Sequence, residues 1–299
     1  MKCCDKLSQS GLFAITLPFR KWRVISSGIL RFRLHFDIMQ QRGEAMYNIL
    51  HKLLADKTDG VTFKCFDLLH ICFIIFFVAA AILLCLYLKN KNDEQRKKTA
   101  NIAVGIAFGL YVAELFLMPF AYGEIDIDKL PFHVCTTMCV MCFWSRHNAF
   151  LGKFRLQFAL LGFLSNLTYL VYPAGMMWLD IHPMSYRVVQ TLIFHGVMMI
   201  YGLLVLVYEN QEFTWKKIYK DFGVIAAMTA WARLGNALYS NGENDYNWFF
   251  VNQDPFKVFP ANIAPYIMPF LNIAIFFAVE LLVYLILSKA SAQRKVRSR

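Results

Sequence analysis

The chain has 299 residues, 58% of them hydrophobic, and a formal net charge of +11. That apolar share excludes an ordinary soluble domain, and the lack of short alternating segments excludes a membrane β-barrel. The basic excess does not mark a nucleic-acid binder, because the Lys and Arg residues sit in short loops and in the tail, where membrane topology places them.

Taken from the N-terminus, residues 1–64 form a segment apart. Its first 45 residues include "RKWRVISSGILRFRLHFDIMQQR", which is basic and only patchily apolar. No apolar region of convincing length precedes a small-residue cleavage site, so a signal peptide is not expected. Two readings stay open: a basic segment lying at the membrane interface, or an upstream extension from a misplaced start, with Met46 the natural one. The second is preferred.

Residues 65–287 predict a transmembrane helical domain with seven spans, near 65–88, 99–122, 130–145, 156–173, 188–208, 221–240 and 262–287. Six spans is the alternative count. The fold class expected is an all-α, polytopic membrane helical bundle. The third span is short, and Lys129 and Arg146 snorkel from its ends. Residues 288–299 form a basic tail.

The loops alternate in charge. "KNKNDEQRKK" (89–98), "RHNAFLGKFR" (146–155), the 209–221 loop and the tail are basic. "GEIDIDK" (123–129) and the 240–257 loop are acidic, and the 175–187 loop is nearly uncharged. The positive-inside rule then predicts a cytoplasmic C-terminus, with the cell membrane as the assumed location. A basic 1–45 arm falls on the wrong side of this scheme, a second reason to prefer the later start.

Polar residues inside the spans form a layer in the outer leaflet. Cys135 lies ~8 Å and His195 ~10 Å from the outer ends of their spans, at the helical rise. Glu114, Asn166, Arg233 and Asn236 fall at similar depth, with Asp67, His70 and His133 near the outer ends. Asn262 and Asn272 bracket the layer. Ionisable groups in hydrocarbon face a bundle interior or a wet cavity, so the layer predicts a polar pocket open to the outside.

A thiol and an imidazole at one depth suit acyl chemistry: the thiolate attacks a carbonyl, and histidine takes and returns the proton. Glu114 is placed to orient that histidine, and Asn166, Asn236 or Arg233 to stabilise an oxyanion. Plainer readings stand beside these. Glu114 pairs structurally with Arg233, and His195 is satisfied across an interhelical hydrogen bond. Cys139 and Cys142 share a face with Cys135 and pack against a neighbouring helix, a soft-metal site with Met138 and Met141 being the minor alternative. Glu280 snorkels or pairs locally. Asp180 and His182 are solvated loop residues. Pro260, Pro265 and Pro269 break or kink the start of the last span. No metal and no cofactor are expected.

"LPFHVC" opening one span, with "FHG" two spans later, resembles the YwaF-like bacterial integral membrane proteins over residues 65–287. These are similar to eukaryotic membrane acyltransferases that remodel ether phospholipids with a Cys/His pair. More distantly they are similar to androgen-regulated membrane hydrolases that use Thr/His on fatty-acid esters. The resemblance implies Cys135 as nucleophile and His195 as base, and Thr136 and Thr137 leave a threonine nucleophile open. The expected function is a lipid acyltransferase or esterase, with membrane lipids as partners and no nucleic acid. The alternative is a non-catalytic transporter or sensor that binds a small solute in the same pocket.

Overall fold

A computed structural model describes residues 44–55, 60–123, 126–177, 180–209, 218–240, 246–255 and 257–297. Both readings of the first 45 residues bear almost wholly on chain outside this set. Two compact units are distinguished, residues 1–49 and 50–299. Helix α1 (Glu44–Leu54) runs across that division. Everything below concerns the second unit.

The remaining helices are α2 (Leu68–Leu88), α3 (Asp93–Tyr122), α4 (Val134–Trp144), α5 (Ala149–Gly152), α6 (Arg155–Val171), α7 (Ala174–Met177), α8 (Tyr186–Tyr208), α9 (Ile218–Tyr239) and α10 (Ala264–Arg297). Single 3₁₀ turns lie at Ile127–Lys129 and Trp248–Phe250. No strand occurs among the described residues. The protein is an all-α membrane bundle. By length and composition, Leu68–Leu88, Asp93–Phe120, Tyr186–Tyr208 and Ala264–Ile286 are each able to cross a bilayer. The three other expected spans are helices too. α4 is apolar but short, α6 has 17 residues, and α9 carries Lys220, Asp221 and Arg233 in its sequence.

Local signals set the helix ends. Asp67 caps α2 by accepting from the His70 N–H, and Asn92 caps α3 by accepting from the Gln95 N–H. Asp93 and Glu94 in the first turn of α3 suit its positive dipole end. Gly123, at φ 76, closes α3 in the left-handed conformation that glycine takes without strain.

The core is organised around α8, whose apolar window is 67% buried, against 17% for α2. α8 packs on α2, α3 and α6. α4 sits against α3 and α6, while α9 and α10 pair with one another and lean on α6. α2 is apolar all round and offers most of its surface outward, as a lipid-facing helix does. The α2–α8 approach is close because Gly196 has no side chain. A Cβ there would lie 2.3 Å from the Phe77 ring.

Candidate functional site

The "LPFHVC" segment is the turn that launches α4, and nearly every residue in it is engaged. The Pro131 carbonyl accepts from Thr137 Oγ1 at 2.7 Å and from Trp231 Nε1 at 2.6 Å. The Phe132 ring stacks on Trp231 and on Trp248, and it fills the place where a Gly235 side chain would stand. His133 donates from Nε2 to Asp128 Oδ1 at 3.1 Å. The same carboxylate oxygen accepts from Trp248 Nε1 at 2.9 Å. Partial burial works to raise the Asp128 carboxyl. The hydrogen bonds from His133 and Trp248 and the nearby Lys129 charge outweigh it and hold the group at about 2.

Cys135 follows as the second residue of α4, partly buried. A helix start leaves its first N–H groups without intrahelical partners. Here the N–H groups of Cys135 and Thr136 lie against the Cys135 sulfur. Lys129 and Asp128 are both close enough to act on the thiol electrostatically. The neighbouring hydroxyls are committed elsewhere, Thr136 to the His133 carbonyl at 3.1 Å and Thr137 to that of Pro131. Cys139 and Cys142 stand at C-x-x-C spacing. Both are free thiols, wholly buried in the helix packing. Among the described residues no group of three or more His, Cys, Asp or Glu is placed to hold a metal.

His195 lies on α8 and is buried. Its Nδ1 is 2.7 Å from the Thr191 carbonyl, which fixes that nitrogen as the donor. Nε2 is then the lone-pair nitrogen, and it is buried without a hydrogen-bond partner. Tyr169 of α6 stacks flat on the imidazole, with centroids 3.9 Å apart. Tyr169 also lies within electrostatic range of Cys135, Asp128 and Glu114. Cys135 and His195 are not hydrogen-bonded to one another. Their helices are joined through α3 and α6, which each pack against both.

Glu114 has a different partner from the one expected. Its Oε1 is 2.9 Å from Lys129 Nζ, and Tyr111 of the same helix donates to the Lys129 carbonyl at 3.1 Å. Lys129 was expected to snorkel, but is held against α3 instead, 20% exposed. Its charge acts on both Cys135 and His195. Arg233 is exposed and donates to the Pro265 carbonyl at 3.1 Å, tying α9 to the start of α10. It therefore stands apart from Glu114.

The other residues of the expected layer divide between this region and structural posts. Asn166 is buried one turn from Tyr169. Its Nδ2 donates to the Gly162 carbonyl at 2.7 Å, and its Oδ1 is unpartnered. Asn236 is bonded through both side-chain ends to the Trp248 backbone, and Asn272 donates to the Phe249 carbonyl. Together they hold a turn in which Phe249 and Phe250 take positive φ. His70 accepts from the Phe66 N–H and donates to the Leu170 carbonyl, so both its nitrogens are used. Asp67 is the α2 cap. Sequence reasoning passed over Tyr169, Tyr111 and Lys129. Only the "GEIDIDK" lysine, directly before "LPFHVC", was a signal for any of them.

Basic residues gather at the opposite end of the bundle. Arg146 donates to the Asn101 carbonyl, Arg155 to the Asn101 side chain, and Lys220 to the Lys153 carbonyl. A cleft of about 470 Å³ opens there beside Lys97, Lys98 and Arg146. None of the expected site residues lines it.

The TMEM164 family profile matches residues 65–289, a stretch that contains both "LPFHVC" and "FHG". The chain belongs to the TMEM164 family. Comparison with curated proteins and with solved structures finds no match. For this TMEM164-family chain the matched stretch starts at Cys65, just ahead of α2, and takes in every helix from α2 into α10.

Proposed function

We propose that this TMEM164-family protein is a lipid acyltransferase or esterase, with Cys135 as nucleophile and His195 as base. The observation that carries the reading is the state of His195. Nδ1–H is anchored on a backbone carbonyl, and a buried Nε2 lone pair is left without a partner, the arrangement a general base needs. The likeness of "LPFHVC" and "FHG" to YwaF-like proteins and to Cys/His acyltransferases supports the same pair.

In this mechanism His195 Nε2 takes the Cys135 proton as the sulfur adds to an ester carbonyl carbon. The oxyanion that forms faces the N–H groups of Cys135 and Thr136, with the Lys129 charge nearby. The carbon–oxygen bond breaks, and the departing alcohol takes the proton from His195. An acyl acceptor alcohol then attacks the thioester and gives its proton to His195 Nε2, the carbon–sulfur bond breaks, and His195 returns the proton to the departing Cys135 thiolate. Water in place of that alcohol gives hydrolysis. Hydrogen bonds of this kind close in the substrate complex, so the separation of the two side chains at rest is part of the reading. The site faces the outer leaflet, and the basic ends and C-terminus lie in the cytoplasm of a cell membrane.

The test is labelling of the purified protein in detergent with a lipid-like, thiol-reactive acyl probe. Loss of labelling in Cys135→Ala and slowing in His195→Gln are expected. Equal labelling of wild type and both variants would overturn the assignment and turn attention to solute binding.

A further inference from the structure

Far from Cys135, two carboxylic acids are buried between α9, α10 and α6. Asp221 is 0% exposed and Glu280 is 1% exposed. Tyr284, one turn beyond Glu280, donates to Asp221 Oδ2 at 2.9 Å, and Gln157 of α6 reaches the Tyr284 hydroxyl at 3.5 Å. Asp221 Oδ1 and both oxygens of Glu280 have no hydrogen-bond partner. The two carboxyl groups act on each other electrostatically. Glu280 therefore neither snorkels nor pairs locally.

The charges around the pair do not neutralise it. On α9, the Lys220 charge acts on Asp221 from a distance, but its ammonium is hydrogen-bonded to the Lys153 carbonyl and lies over the Phe154 ring. On α6, Arg155 is paired with Glu209 at 2.5 Å. On α10 the Tyr284 hydroxyl, one turn from Glu280, is a donor to Asp221. Among the described residues no Lys, Arg or His is ion-paired with either carboxyl, so two ionised carboxylates withdrawn from water here would repel one another. A hard dication needs six or more oxygen ligands, and two carboxyl groups fall short of that. A proton needs only one donor and one acceptor oxygen, and three unpartnered oxygens are present.

We propose that Asp221 and Glu280 form a membrane-buried proton-binding site, in which a proton held by one carboxyl is shared with the other. Loss of that proton leaves like charges where α9, α10 and α6 meet, so proton occupancy governs how these helices pack. Lys220 is partly exposed at the basic end of the bundle, one residue from Asp221, and marks the side from which the proton arrives. The site is independent of the acyl chemistry proposed for Cys135.

The experiment uses the full chain in lipid nanodiscs and a lipid-soluble carbodiimide, which reacts with protonated carboxyl groups in apolar surroundings. Adducts are located by mass spectrometry between about pH 5 and about pH 9. The expected result is one adduct, on Glu280 or Asp221, whose yield falls at least about tenfold as pH rises through one titration. Amide replacement of the other member, Asp221→Asn or Glu280→Gln, removes the like charge. It should move that titration about one pH unit lower. No adduct on either residue, or a yield independent of pH, would overturn the proposal. Protection by excess sodium chloride at fixed pH would also overturn it, in favour of a cation site. The wild-type titration decides the matter even where an amide variant fails to fold.

Discussion

Around Cys135 the buried and half-buried acidic groups have partners: Glu114 meets the Lys129 ammonium, and Asp128 accepts from His133 and Trp248. Between α9 and α10, Asp221 accepts from the Tyr284 hydroxyl, feels Gln157 and the Lys220 charge, and acts electrostatically on Glu280. Both regions hold polar groups in a membrane bundle: in the first, His195 Nε2, Asn166 Oδ1 and Glu114 Oε1 lack hydrogen-bond partners, the last being held by the Lys129 charge, while the second leaves three carboxyl oxygens without one. In a mostly satisfied network the open lone pair of the imidazole is the atom able to take a proton. In an unsatisfied pair the missing partner is itself the ligand.

The largest expected effect tests the first region. Cys135→Ala should abolish acyl-probe labelling, and His195→Gln should slow it by about 10²–10⁴-fold, the usual worth of a positioned general base. Labelling unaffected by His195→Gln would leave the open nitrogen without a catalytic role.

The contrast between paired and unpaired carboxyls is sharpened by stability in detergent. Glu114→Gln strands the Lys129 ammonium and should cost about 2–3 kcal/mol, less than a fully buried broken pair because Lys129 keeps some exposure. Glu280→Gln strands no cation and should stay within about 1 kcal/mol of wild type, or above it. Equal losses in thermal unfolding would erase the distinction.

Two glycines extend the comparison. Gly196→Val drives a side chain into the Phe77 ring beside His195 and should cost about 1–3 kcal/mol. Gly223→Ala, two residues from Asp221, meets nothing within 4 Å and should stabilise α9 by about 0.5–1 kcal/mol. Unfolding midpoints of the two variants should move in opposite directions.

The smallest effect is a pH dependence. The Asp128 carboxyl is held below its unfolded value, so its contribution is complete above about pH 4. That contribution is lost as pH falls from about 4 towards about 2. Unfolding temperatures of wild type and Asp128→Asn should differ at pH 6 and converge across that window. A constant difference would show that Asp128 acts through shape alone.

Much of the fold was legible because its cause is local. Runs such as "LLHICFIIFFVAAAILLCLYL" are too apolar for water, and Asp67, Asn92 and Gly123 mark helix ends through their own backbone chemistry. That Cys135 and His195 lie on helices was likewise readable from single apolar runs. Partners were not legible, because pairing depends on which helix faces rotate together. Glu114 met Lys129 rather than Arg233, since the α3–α4 turn folds back onto α3. His70 and Asn236, polar at the expected depth, proved to be posts for a helix start and a loop.

An all-helical membrane protein could be read from the sequence alone, because runs long and apolar enough to span a bilayer are a property of consecutive residues. Only the tertiary structure decided which of the polar side chains is left with an open valence. Hydrogen-bond satisfaction belongs to the packed neighbours of an atom, and for His195 and Glu280 those neighbours come from other helices.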